Sequence, residues 1–200
     1  MHLIGIAGHS GAGKTALARE LAATLLGAPG DVLSLDAYYV DRSNVDPAAR
    51  ARLDYDGPDA LDWELLRGHL RRLAAGRPVE RPVYDFSRHV RSPRTERLVP
   101  GGAVVVEGRL ALYDAAVRAL LGTRVYVATD TETCLRRRVA RDTRERGRTA
   151  AAVRAQWEAT VQPAFARWVE PTRRHADLIL DGAEPLALLT AAVLRRIGRS

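Results

Sequence analysis

Apolar and polar positions follow two rhythms along this chain. Short β-branched runs stand between longer stretches whose apolar residues recur at helical spacing. That alternation predicts an α/β fold, a parallel sheet joined by crossover helices. Residues 3–7 are the first predicted strand, followed by a glycine-rich turn and a helix from about Lys14 to Leu26. Residues 31–35 predict a second strand ending at Asp36, and the polar, irregular stretch 40–58 reads as a functional loop or a short helical excursion. Residues 59–75 predict a helix with Leu61, Leu65, Leu66, Leu70 and Leu73 on one broad face, stopped by Gly76. With Pro78, Pro82 and Pro93 around a PVYDF run, residues 77–99 predict a small β excursion. Further strands are expected at 103–106, ending in Glu107, at 124–128 and at 177–180. Helices are expected from about Glu132 to a break at Gly147, over 150–169 and over 185–197. No internal repeat or long linker divides the chain, so one domain over residues 1–200 is expected.

Composition narrows the function classes. With 46% apolar and 28% charged residues the chain suits a globular domain. Its net charge is +7, and 30 of its 31 basic residues are arginine, leaving Lys14 as the sole lysine. An arginine bias that spares one position implies that this position needs an ammonium. Excess positive charge alone would suit a nucleic acid or an anionic membrane. The single cysteine, Cys134, excludes an intramolecular disulfide and a cysteine-based zinc site. No apolar run approaches the roughly 18 residues of a membrane span. The first residues lack the cationic start of a signal peptide. A soluble, cytoplasmic protein without a membrane partner is the expectation.

Gly8, His9, Ser10, Gly11, Ala12, Gly13, Lys14 and Thr15 fit G-x-x-x-x-G-K-[ST] between a predicted strand and a predicted helix, the context of a phosphate-binding P-loop. Glycines let successive backbone N–H groups turn toward phosphate oxygens, and the helix N-terminus adds partial positive charge. Lys14 offers a compact ammonium to the β- and γ-phosphates, and Thr15 a hydroxyl to Mg²⁺. Glu107 and Asp36 each end a predicted strand, and parallel strands bring such ends to one rim. There they suit a metal ligand and a general base, although Asp36 alone could equally be a capping aspartate. Arg136, Arg137, Arg138, Arg141, Arg144, Arg146 and Arg148 fall within thirteen residues. In isolation they suit a solvated or RNA-binding face. Asp142 and Glu145 interrupt the run, however, and no aromatic residues interleave it. The cluster is better suited to neutralising a transferring phosphoryl group, as a lid hinged near Gly147.

With these pieces in place, the chain resembles the uridine kinase (uridine–cytidine kinase) family of P-loop kinases over nearly its whole length. The similar segments are GIAGHSGAGKT, SLDAYY, LDYDGPDALD, RPVYDFSRHVR, VVVEG, RRRVARDTRERGR, QWEATVQPAF and EPTRRHADLIL. The resemblance implies a P-loop kinase fold: a five-stranded parallel sheet flanked by helices, a substrate loop at 40–58, the β excursion and an arginine-rich lid at 136–150. It implies transfer of a phosphoryl group from ATP (or GTP), with Mg²⁺, to the 5′-hydroxyl of uridine or cytidine, as in pyrimidine salvage. It also implies a homotetramer and no nucleic-acid partner. By resemblance Asp36 is the base, acting with Lys14 and Arg141; Thr15, Asp36 and Glu107 hold the metal; and Arg146 joins the P-loop on the nucleotide. Asp56, Arg138 and Gln156 take the ribose, and Arg148 a substrate oxygen. Tyr84 and His89 read the base edge between Tyr55 and Phe86. Two positions depart from the family pattern: Gly57 stands where a histidine is usual, and Arg88 where smaller or neutral residues are common. A P-loop kinase for another riboside, ribulose phosphate or pantothenate is the alternative within enzymes, and an NTP-dependent RNA-binding protein the alternative outside them.

Overall fold

In a computed structural model, which describes residues 1–26, 32–50 and 52–198, five parallel strands form the central sheet. They are β1 (His2–Gly8), β2 (Val32–Ser34), β5 (Ala103–Glu107), β6 (Thr123–Ala128) and β7 (Leu178–Asp181), in the order β2-β5-β1-β6-β7. The period of two along these strands sorts side chains onto two faces. Leu3, Val104, Val106 and Tyr126 join one buried cluster with Leu66, Leu70 and Leu73. Ile4, Ile6, Val105, Val125 and Val127 join the other with Leu17, Leu21 and Val193. Helix α1 (Lys14–Leu26), the short α2 (Pro47–Arg50), α3 (Trp63–Ala74), α4 (Ala115–Leu120), α5 (Thr131–Glu145) and α8 (Leu186–Arg196) supply these layers and the loops between them. Strands β3 (Val79–Asp85) and β4 (Val90–Leu98) pair antiparallel as the expected excursion. The guanidinium of Arg81 ties this hairpin to the sheet edge, donating to the Val32 carbonyl at 2.6 Å and to Glu96 across the hairpin at 2.7 Å.

Three expectations need correction. The second strand ends at Ser34, and Leu35–Tyr38 form a 3₁₀ turn because the Ser34 hydroxyl caps the Asp36 N–H. Asp31, the expected start of that strand, lies outside the described residues, as does Ala51 of the expected loop. The third helix starts at Trp63, where the Asp62 carboxylate accepts from the Leu65 N–H at 3.0 Å; Leu61 instead bridges Tyr39. Residues 150–169 are not one α-helix. They run as α6 (Ala150–Gln156), a π-helical turn (Trp157–Val161), α7 (Gln162–Ala164) and a second π-helical turn (Phe165–Val169), ending in 3₁₀ turns at Glu170–His175. Pro163 has no N–H to give to the preceding turn, and wider π turns accommodate that gap. Among the described residues no helix is long and apolar enough to cross a membrane.

Parallel register positions the chemistry. Glu107 pairs with Ile6 on one side and Ser34 on the other, so the ends of β1, β2 and β5 lie together on one rim.

Candidate active site

The loop after β1 curls through Gly8, Gly11 and Gly13 at φ values of 143°, 83° and 102°. A Cβ would meet the Val127 carbonyl oxygen at 2.4 Å from Gly8 and the Cys134 carbonyl oxygen at 2.3 Å from Gly11, so both must be glycine. Lys14 is buried and donates to the His9 carbonyl at 2.7 Å. Burial pulls its pKa down, against Glu107 and Asp36, which stabilise the ammonium. Ala12 is buried under the loop, and Thr15 is exposed at the first turn of α1.

The His9 side chain is turned into the protein. Its ring lies between Trp157 at 4.3 Å and Phe165 at 3.9 Å, nearly parallel to both. The Ser10 N–H donates to Nδ1 at 2.7 Å, which leaves the proton on Nε2 to donate to the Gln162 side-chain oxygen at 2.9 Å. Burial, with the nearby cations, lowers its pKa to about 4. His9 therefore offers only backbone to a nucleotide, and its ring anchors the loop on the π-helical segment.

On the rim, the Ser34 hydroxyl donates to Glu107 Oε1 at 2.7 Å. Burial raises the pKa of Glu107, and the neighbouring Asp36 raises it further, while Lys14, Ser34 and Thr15 oppose them. Asp36 is half-buried beside it. The donor set is two carboxylates and a hydroxyl, all hard oxygens. That fits Mg²⁺, which takes one or two carboxylates and fills its other positions with phosphate oxygens and water.

Across from the rim, Asp56 is buried with both oxygens engaged. Oδ1 lies 2.8 Å from Arg109 Nη1, and Oδ2 accepts from the Thr160 hydroxyl at 2.6 Å. Arg138, also buried, donates to the Ser10 hydroxyl and to the Gln156 side-chain oxygen, each at 2.9 Å. Its burial lowers its pKa to about 10. An aromatic group closes the region from the hairpin side. Tyr55 stacks on His89 at 4.8 Å, Tyr39 tilts against Tyr84 at 5.0 Å, and Phe86 meets Tyr84 edge-on at 5.2 Å. His89 holds a left-handed φ of 54° in the hairpin turn, uncommon for a residue with a side chain. Burial, Arg50 and Arg148 lower its pKa. Arg88 is exposed beside it, and a Cβ at Gly57 would meet the Asp54 carboxylate at 3.2 Å.

The arginine run is organised by the residue that interrupts it. The Asp142 side chain is 0% exposed and draws in Arg141 at 2.8 Å, Arg148 at 3.5 Å, Arg138 at 3.6 Å and Arg146 at 3.8 Å. Arg148 also donates to the Gln156 oxygen at 2.6 Å, and Arg146 lies over the Phe86 ring at 5.2 Å, joining lid to hairpin. Arg137 is spent on the Gly182 carbonyl, and Arg136 and Arg144 are exposed.

Shared contacts thus link the P-loop, Asp36, Glu107, Asp56, Arg138, Gln156, Arg141, Arg146, Arg148 and the aromatic group into one connected region. Sequence reasoning missed Arg109, Thr160 and the role of Asp142. A charged residue directly after the buried VVVEG strand is a signal for Arg109. Thr160 and Asp142 gave none, since their significance rests on partners brought in by folding.

The chain matches the model of the phosphoribulokinase/uridine kinase family over residues 3–185. It is 44% identical over 178 residues to a uridine kinase of Deinococcus deserti, covering 89% of this chain and 86% of that protein. It is 44% identical over 186 residues to a uridine kinase of Halobacterium salinarum, covering 92% of this chain and 82% of that protein. In fold it is similar to a phosphoribulokinase from Rhodobacter spheroides, with a TM-score of 0.64 and 14% identity over 92% of this chain and 73% of that one.

Two outcomes follow from this geometry. Unfolded histidine takes up a proton near pH 6.5, whereas folded His9 stays neutral down to about pH 4, so its contribution to stability is lost as pH falls through that window. Urea titrations should show the protein losing about 2 kcal/mol more between pH 7 and pH 5 than a His9→Gln variant does. Parallel losses would contradict the buried neutral ring. Asp142→Asn leaves four guanidiniums facing one another and should cost about 3 kcal/mol in the same assay. Glu145→Gln, one helical step from the cluster but exposed, should leave the urea midpoint where it was.

Proposed function

The chain belongs to the phosphoribulokinase/uridine kinase family, and on that footing we propose that it transfers the γ-phosphoryl group of ATP to the 5′-hydroxyl of uridine. The observation that carries this reading is the meeting of a P-loop with two separate carboxylate positions. Asp36 acts on Lys14 and Glu107, while Asp56 pairs with Arg109 and Thr160 and directly follows Tyr55, which stacks on His89. A nucleoside needs that division, one carboxylate for the reacting hydroxyl and another for the ribose, with aromatic faces for a flat base.

The uridine 5′-oxygen attacks the γ-phosphorus in line as Asp36 takes its proton. The new O–P bond forms as the bond to the β,γ-bridging oxygen breaks, and ADP leaves. Lys14 and the backbone N–H groups of Gly11 and Gly13 hold the donor phosphates. Arg141, Arg146 and Arg148 face the charge spreading over the transferring group, and their other edges are held by Asp142. Asp56 and Arg138 orient the ribose, so that the hydroxyl is positioned before the lid closes. His89 and Tyr84 meet the base edge. Thr15, Asp36 and Glu107 would hold Mg²⁺, which would neutralise the β- and γ-phosphate charge.

The test is a panel of uridine, cytidine, adenosine, guanosine and ribulose 5-phosphate with Mg·ATP, read as ADP release and as phosphorylated product. Uridine should be converted to its 5′-monophosphate. Asp36→Asn should lower kcat by about 10²–10⁴-fold while the KM for ATP moves by less than about threefold. Conversion of ribulose 5-phosphate alone, or of nothing in the panel, would overturn the reading.

A further inference from the structure

Arg109 stands where β5 leaves the sheet, two residues beyond Glu107. Gly108 makes that exit tight, since a Cβ there would come within 2.6 Å of the Leu35 side chain. The arginine is consequently delivered into the cleft, with a side chain only 14% exposed. One terminal nitrogen, Nη2, donates to the Tyr55 carbonyl at 3.2 Å. The other, Nη1, lies 2.8 Å from Asp56 Oδ1 but off the line of a hydrogen bond, so a buried donor is left without an acceptor. Burial works against the charge, and Tyr39, Asp56 and Asp36 more than offset it, so the guanidinium stays protonated. Buried donors without acceptors are rare, and one inside a cleft calls for an explanation. Arg109 also lines a small cavity together with Asp36, Tyr39, Tyr55 and Gly57.

We propose that Arg109 is a specificity-determining residue for the acceptor, and that its buried N–H donates to one hydroxyl of the ribose cis-diol while Asp56 accepts from the other. This rests on the nucleoside reading above and deepens it. Asp56 alone cannot separate a diol from a single hydroxyl efficiently, since either offers it a donor. An adjacent fixed donor changes that. An acceptor lacking the second hydroxyl leaves the Arg109 N–H buried and unpaired, and that penalty falls on the wrong substrate.

The experiment compares kcat/KM for uridine and 2′-deoxyuridine in the wild type, Arg109→Met and Arg109→Lys. The wild type should prefer uridine by at least about 100-fold. In Arg109→Met, uridine should lose about 100-fold, chiefly through KM, whereas 2′-deoxyuridine should change by less than about threefold, so that discrimination collapses. Arg109→Lys retains the charge facing Asp56 and serves where the methionine variant does not fold. It should remain measurably active on uridine while the ratio falls by about tenfold or more. A role confined to holding Asp56 in place would lower both substrates by the same factor, and an unmoved ratio overturns the proposal. A wild type that turns over no nucleoside defeats the function proposed above and this inference with it. A wild type active on uridine with an unmoved ratio in the variants defeats this inference alone.

Discussion

Buried charge is the constraint on which the rest of this structure depends. Lys14, Glu107, Asp56, Arg138 and Asp142 are each nearly or wholly removed from solvent, and Arg109 is largely so. An isolated charge in such a place would be very costly, so each is set against partners: Lys14 against Glu107 and Asp36, Asp56 against Arg109 and Thr160, Asp142 against four arginines. Such pairing adds little to stability in itself. Its value lies in fixed positions, because groups already desolvated and held need not reorganise when a phosphoryl group arrives.

The same economy explains how the nucleotide loop and the acceptor side are made one body. His9 anchors the loop on Trp157, Phe165 and Gln162, and Arg138 ties Ser10 to Gln156. The segment from Gln156 to Phe165 that receives these contacts also carries Thr160, which holds Asp56. Its π-helical turns therefore lie at the one place where the nucleotide loop and the acceptor carboxylate share supports, and departures from α-helical spacing are common at such functional positions. The hairpin and lid close the remaining sides through Arg146 and Phe86.

Much of this was legible in the sequence wherever a local rule decides. The P-loop is a local motif, Glu107 ends its strand as expected, and Asp36 falls two residues beyond its strand, in the 3₁₀ turn that follows. The hairpin was signalled by its prolines. What local patterning missed depends on contacts far apart in the chain. His9 reads as one more loop residue until the aromatic rings of residues 157 and 165 pack on it. Asp142 reads as a break in a basic run, although its total burial makes it the anchor of that run. A helix over 150–169 fits the apolar pattern, and only the missing N–H of Pro163 hints at the wider turns. Arg109 was overlooked because an arginine in a chain with 30 of them attracts no notice by composition. Lys14 stood out for the opposite reason.

The central claim is that the reacting end of a nucleoside lies at the rim shared by Lys14, Asp36 and Glu107, with its base toward the Tyr55–His89 stack. Paramagnetic relaxation tests it most directly. Mn²⁺ replaces Mg²⁺ alongside a non-hydrolysable ATP analogue, and proton relaxation is measured across uridine in exchange with the protein. The account predicts the largest enhancement at the H5′ protons and the smallest at H5 of the base, since relaxation falls steeply with distance from the metal. Enhancement largest at the base protons, or none at all in the presence of bound uridine, would contradict it.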